Sequence, residues 1–208
     1  MPITTVDSLR ALYGPARDRS VKKELPHLDR HCLHFIGLSP LVVVASGVSG
    51  GLDASPRGGD PGFVKAPDAH TLLLPDAPGN NRLDTLENIA HGGEAGSPVG
   101  LLFLLPGMDE TLRVNGRAVL STDEADLALC VDARRTPKLV IRVAVQSAYL
   151  HCAKALMRAE LWNPARHVDR ATLPSMGQML SEQIRQQTGE EVVAETQDQM
   201  LARYRQTL

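Results

Sequence analysis

LVVVAS, residues 41–46, decides the fold. Leu41 and three consecutive valines follow Pro40, and the run stops at Gly47. A short, β-branched run between two breakers reads as a buried strand, because a helix needs more length and disfavours branched side chains in series. Upstream, the pattern is helical. Val6, Leu9, Ala11, Leu12 and Tyr13 cluster before Gly14-Pro15, a charged stretch over residues 16–24 stops before Pro26, and a third helix is expected over residues 28–37.

Downstream, strands dominate. In GVSGGLDASPRGGDPGF, residues 47–63, glycines 47, 50 and 51 make a tight connection and residues 52–55 pair back as a second strand. HTLLLP (70–75) is a third. APGNNRLDTLENIAHGG (77–93) turns, opens a helix over 82–91 and ends it at Gly92-Gly93. Residues 99–105 form a fourth strand. ETLRVNGRAVL (110–120) alternates, with Leu112 and Val114 on one face and Thr111, Arg113 and Asn115 on the other. Ser121 and Glu124 have capping-box spacing and start a helix to about residue 131, and KLVIRVAVQSAYLH (138–151) is a long sixth strand. Six strands without regular βαβ alternation imply a mainly β, α+β chain: an antiparallel six-stranded barrel with peripheral helices. The expected organisation is one domain over 1–208, with an N-terminal helical extension (1–38), a barrel core (39–162) and a helical, polar tail (163–208).

Composition excludes several partners. With 22 Lys+Arg against 24 Asp+Glu the net charge is −2, so no global positive field exists to hold nucleic acid or an anionic membrane. Aromatic residues are only 3%, too few for a base-stacking platform. Cys32, Cys130 and Cys152 are odd in number and widely spaced, which argues against a disulfide framework or structural zinc and suits a reducing compartment. The N-terminal residues carry Asp7 and Arg10 and lack an apolar core, and no run approaches the roughly 20 residues of a membrane span, so a cytoplasmic location is expected.

Three groups could carry chemistry. Ser55, Arg57 and Gly58-Gly59 leave strand two; the arginine offers a fork of donors and the glycines admit a planar ligand, although a hairpin tip with a solvated arginine uses the same residues. Asn80, Asn81 and Arg82 precede a helix start, where backbone N–H groups, amides and a guanidinium can meet a phosphate; plain helix capping is the alternative. Walker and dinucleotide glycine patterns are absent. In His151-Cys152-Ala153-Lys154, a helix would align His151, Lys154 and Arg158 as a basic strip. No metal site is expected there, Cys152 reads as a small hydrophobe, and Trp162 as packing.

The segments SPRGGDPGFV, TLLLPD, APGNNRLDTLENI and VGLLFLLPGMDETLRVNGRAVL, in that order, resemble the pyridoxamine 5′-phosphate oxidase-related FMN-binding proteins. The resemblance is good over residues 40–120 and weaker to Trp162. It implies an FMN-binding split barrel and a homodimer whose FMN sites lie at the subunit interface. Ser55 and Arg57 then fall at the flavin edge, Asn80, Asn81 and Arg82 at the phosphate, and Thr111 and Arg113 on the segment that reaches the partner's cofactor. Lys154, with Arg57, is a candidate for the negative charge of reduced flavin. The family commonly has Arg-Lys where this chain has Asn81-Arg82, so one cation is lost. The expected activity is that of an FMN-dependent oxidoreductase on a small molecule; the rivals are a non-catalytic flavin store or sensor and a haem-binding barrel using His27, His31 or His34.

Overall fold

The computed structural model describes residues 2–48, 51–77, 79, 81–132 and 136–206. Two compact units divide the chain, Met1–Trp162 and Asn163–Leu208. The first is built on β1 (Leu41–Val48), β2 (Gly51–Gly58), β3 (Lys65–Asp68), β4 (Thr71–Pro75), β5 (Ser97–Leu104), β6 (Thr111–Ser121) and β7 (Val140–His151). These form one sheet in the order β2-β1-β5-β6-β7-β4-β3, every neighbouring pair antiparallel.

The six-stranded barrel expected from the sequence is therefore corrected to a seven-stranded open sheet within an α+β fold, with β2 and β3 at its ends. The added strand is β3. Its sequence, KAPD, carries a proline and an aspartate and no β-branched residue, so it has no strand signature; a sheet end tolerates Pro67 because one side needs no ladder hydrogen bond. The second strand is also longer than residues 52–55, since it spans Gly51–Gly58 in full register with β1.

Alternation along the strands builds the core. Val42 and Val44, Leu101 and Phe103, Leu112 and Val114, and Ile141 and Val143 are each at most 2% exposed and form one cluster with Leu72 and Leu74. Between Asn115 and Gly116 the β6–β7 register shifts, which takes up one extra residue of β7. Gly116 is required there, because a Cβ would lie 2.2 Å from the Ala144 carbonyl oxygen.

Eight helices are described. In the first unit α1 (Val6–Tyr13) buries nothing, α2 (Asp18–Lys22) is one turn, and α3 (Arg30–Leu38) packs Cys32, Phe35 and Ile36 into the core. The Asp29 side chain caps α3, accepting from the His31 and Cys32 amides. Ahead of α3, Leu25 bridges to Ala148 of β7 through two backbone hydrogen bonds. Helix α4 (Asp84–Ala90) buries Thr85, Leu86 and Ile89. Helix α5 (Glu124–Leu129) starts at Asp123, whose carboxylate accepts from the Ala125 amide. Ser121 is not the cap: its hydroxyl donates to Asp126, which is also paired at 2.6 Å with Arg142. Helix α6 is Lys154–Ala159.

The second unit holds α7 (Met176–Thr188) and α8 (Gln197–Arg205), each begun by a capping box, Ser175 with Gln178 and Thr196 with Gln199. Gly177 permits close packing of its own backbone, since a Cβ would lie 2.0 Å from the Glu195 carbonyl oxygen. Among the described residues no helix is long and apolar enough to cross a membrane.

Candidate functional site

The face of the sheet turned away from the core carries a cleft of about 420 Å³, within the roughly 300–1,000 Å³ usual for small-molecule sites. Strand register explains its composition. One cross-strand row runs Pro56, Val43, Leu102, Arg113, Tyr149; the next runs Ala54, Ala45, Gly100, Asn115, Ser147. Paired residues share a face, so polarity grades across the sheet from apolar on β1 and β5 to polar on β6 and β7. The second row is small at its centre: Ala45 and Gly100 leave the floor flat, and Asn115 donates to the Ser147 hydroxyl at its polar end. Thr111, Arg113, His151 and Cys152 line the polar side, and Ala155 and Leu156 of α6 close the end. A planar ligand with apolar faces and a polar rim suits this arrangement.

The Arg113 guanidinium sits 5.5 Å from the centroid of the Tyr149 ring, over which the Lys23 ammonium also lies at 5.2 Å. Lys23 is held there by donating to the Leu150 carbonyl at 2.6 Å.

A second cleft, about 390 Å³, is lined by Gly51, Leu52, Asp53, Arg82, Asp84, Glu87 and Asn88. Its chemistry is the reverse. Three carboxylates and one guanidinium line it, and Arg82 pairs with Asp84 at 2.8 Å. Asn81 and Leu83, on either side of Arg82, both adopt left-handed backbone, φ 59° and 62°; such a conformation is strained for leucine. Leu83 supplies no side-chain cap to α4.

The expected site residues are thus not brought to one place. Thr111 and Arg113 line the outer-face cleft. Ser55 and Arg57 stand opposite Val44 and Val42, on the other side of the sheet from that cleft. Ser55 donates to Asp53 at 2.9 Å; Thr85 donates to the same carboxylate at 2.5 Å, tying β2 to α4, while Arg57 donates to the Pro56 carbonyl. Arg82 lines the acidic cleft and Asn81 precedes it in the chain, while Asn80 lies outside the described residues. The basic strip on one helix face is corrected: His151 ends β7 whereas Lys154 begins α6 and is exposed, so the two do not share a helix. Burial pushes the thiols of Cys32 and Cys130 up to about 11, which leaves both unreactive, and Cys152 is exposed at the cleft.

The family model for pyridoxamine 5′-phosphate oxidase matches residues 28–152, more than half of the chain. The chain belongs to the pyridoxamine 5′-phosphate oxidase family. No curated protein sequence matches it significantly. Among solved structures it is similar to HupZ of Group A Streptococcus, with 18% identity over 59% of this chain and 92% of that one and a TM-score of 0.47. It is also similar to a candidate pyridoxamine 5′-phosphate oxidase from Lactobacillus delbrueckii, with 17% identity over 61% and 98% and a TM-score of 0.46. A FAD- and haem-binding protein from Mycobacterium smegmatis matches with 17% identity over 66% and 80% and a TM-score of 0.40. Membership in the pyridoxamine 5′-phosphate oxidase family rests on the family match, not on these distant likenesses. That match begins at Leu28 and ends at Cys152, so it contains every strand of the sheet and leaves Lys23 and the whole second unit outside.

Tested for fit against the flavin that the resemblance implies, the two clefts differ. The outer-face cleft suits an isoalloxazine ring, with a flat apolar floor and donors along one edge. At the Arg82 turn the guanidinium shares its cleft with Asp53, Asp84 and Glu87, whose charges oppose a phosphate beside them. Sequence reasoning did not single out Asn115, which lines this cleft, or Ser147 and Tyr149, which stand across from Asn115 and Arg113 on β7. Only Asn115 had a visible signal, through its alternation with Thr111 and Arg113.

Proposed function

We propose that the outer-face cleft binds the ring of a flavin, FMN, and that the protein is an FMN-dependent oxidoreductase acting on a small molecule. The observation that supports this most is the graded face, an apolar floor of Val43, Ala45, Gly100 and Leu102 beside a polar edge of Thr111, Arg113 and Asn115. Bound flavin supplies two-electron redox chemistry, and the chain supplies position and electrostatics. Arg113 places a permanent positive charge at the edge where a reduced ring gathers negative charge. The floor is only partly covered in one chain, which favours a homodimer that closes the cleft with a second copy and shares the site between subunits. Three free cysteines are consistent with a reducing, cytoplasmic setting.

Titration of the protein with FMN, followed by flavin fluorescence, tests the reading. Saturable binding at micromolar FMN, near one per chain, is expected, and no saturation at that concentration refutes it. Sedimentation alongside should give a dimer.

A second reading is haem binding, favoured by one observation: His151 lines the same cleft. The histidines suspected from sequence do not reach it. His31 and His34 are exposed on α3, and His27 faces the His70 ring at 6.0 Å. Absorbance of the purified protein after incubation with haem separates the two, since a haem site at His151 gives a Soret band that His151→Ala removes.

A further inference from the structure

We infer that Thr111 and His151, paired directly across β6 and β7 at the α6 end of the cleft, form a subsite for an acceptor oxygen, a carbonyl or a carboxylate, on a small apolar ligand. That this ligand is the substrate of a bound flavin rests on the flavin reading; the oxygen site itself does not.

The observation that carries it is a hydroxyl without a partner. Seven polar residues are buried among those described, and six of them, Ser39, Ser46, Thr71, Thr85, Ser97 and Asp126, engage their side chains in hydrogen bonds within the chain. Thr111 does not. It is only 6% exposed, yet its hydroxyl bonds to no described residue. Burying a polar group without a partner is unfavourable, so folded proteins keep few of them and each needs an explanation. Every wholly enclosed side-chain nitrogen or oxygen among the described residues has a partner, which means that the Thr111 oxygen is not sealed in the core but opens on the cleft that it lines.

His151 stands directly opposite. The β6–β7 register pairs it with Thr111, so both side chains leave the sheet on the outer face, and both line the cleft. Its ring also bonds to no described residue. A hydroxyl and an imidazole N–H can donate together to one oxygen. The walls beside them are apolar, Leu104 of β5 with Ala155 and Leu156 of α6, and no carboxylate lines this cleft to compete for the donors. The floor of Val43, Ala45, Gly100 and Leu102 belongs to the rows of Arg113 and Asn115, and Thr111 lies one row further, roughly 7 Å along the strand from Arg113. Thr111 thus ends the polar edge, and an oxygen that it holds lies beside a ring on the floor, where a substrate would meet it.

The cleft carries its own reporter. Cys152 lines it next to His151 and is exposed, whereas Cys32 and Cys130 are buried, so iodoacetamide should alkylate Cys152 selectively. On the full chain, benzamide, benzoate and toluene at millimolar concentration are each tested for slowing that alkylation, followed by mass spectrometry. Saturable protection by benzamide assigns the site to a neutral carbonyl, and protection by benzoate alone assigns it to a carboxylate. Protection by neither, or equally by toluene, which lacks the oxygen, overturns the inference. Thr111→Val removes the hydroxyl and keeps nearly the same shape; it should raise the half-protecting concentration about three- to tenfold, as loss of one hydrogen bond does, and His151→Leu should act likewise. Thr111→Ser should restore most of the affinity. Unchanged protection in Thr111→Val and His151→Leu, or equal losses in Thr111→Val and Thr111→Ser, overturns the assignment. An FMN titration judges the flavin reading separately. Where FMN binds, the protecting ligand should also shift the flavin absorption bands, and protection without any shift overturns the placement beside the ring. Where FMN does not bind, the flavin reading fails and the alkylation result alone decides the oxygen site.

Discussion

The two faces of β5 differ in what they are for. Val99, Leu101 and Phe103 point inward and are nearly or wholly buried, whereas Gly100, Leu102 and Leu104 point outward and remain partly open, although the two sets are about equally apolar. An apolar stripe on the inner face is explained by the core it fills. The outer stripe stays partly open among the described residues of the first unit, and its polar continuation through Arg113 and Asn115 gives it the form of a binding surface. Hydrophobicity alone therefore did not separate fold from function in this strand; the neighbours across the register did.

The largest effect that sharpens this contrast is on the inner face. Phe103 is fully buried in the main core cluster, so Phe103→Ala should cost about 3–5 kcal/mol of unfolding free energy. Urea denaturation measures it, and a loss near 1 kcal/mol would mean that the inner face is loosely packed. Outside, Leu102→Asp should behave oppositely. The fold should change by less than about 1 kcal/mol, while flavin affinity should fall about ten- to a hundredfold through loss of the apolar floor, the equivalent of burying one leucine side chain. Paired unfolding and flavin titrations check both halves of that expectation. A Leu102→Asp variant that loses several kcal/mol of stability yet, while folded, binds flavin normally would reverse the roles given to the two faces.

Smaller is the effect expected at Asp29, whose helix delivers Cys32, Phe35 and Ile36 to the inner face. Asp29→Ala should cost about 1 kcal/mol, the usual value of an N-cap. The Cys32 amide, more than that of His31, holds the Asp29 carboxyl below its ordinary value. A lowered folded value means the carboxylate's contribution is complete above the unfolded value and disappears as pH falls through the folded one. The difference between wild type and Asp29→Ala should thus narrow on acidification below the ordinary carboxylate range. A difference that stays constant to low pH would show that the cap acts without its charge.

How much of this was legible in the sequence follows from the same physics. LVVVAS and KLVIRVAVQSAYLH were readable because alternation or branching reports burial locally, and the sharp chemistry of Asn81-Arg82 was readable as a turn. The third strand, KAPD, was not, because a short strand at the end of a sheet is stabilised by its partner β4 and needs no propensity of its own. The end of the sixth strand at His151 was legible, but the residues HCAK suited a helical strip as well, and the pairing of His151 with Thr111 keeps it on the strand while the helix begins at Lys154. Lys23 had no local sign at all. Its hydrogen bond to the Leu150 carbonyl spans 127 positions, which no spacing in the chain can reveal.

The smallest expected effect is also the one that separates the two clefts. Read from its turn alone, Arg82 should grip a phosphate and its loss should cost FMN binding ten- to a hundredfold; read in place, its guanidinium is 76% exposed and already paired with Asp84. An exposed pair of this kind contributes about 0–1 kcal/mol, because water screens the attraction and both side chains lose freedom in forming it. Arg82→Ala should therefore leave unfolding within about 1 kcal/mol of wild type. It also removes the positive charge from a cleft that keeps Asp53, Asp84 and Glu87, so nothing about it should favour FMN over riboflavin. Parallel titrations with the two flavins decide the matter: unchanged affinities assign the turn to local structure. A selective loss of FMN would show that the phosphate reaches this turn despite its carboxylates, and the charge contrast between the clefts would no longer predict which one receives the anion.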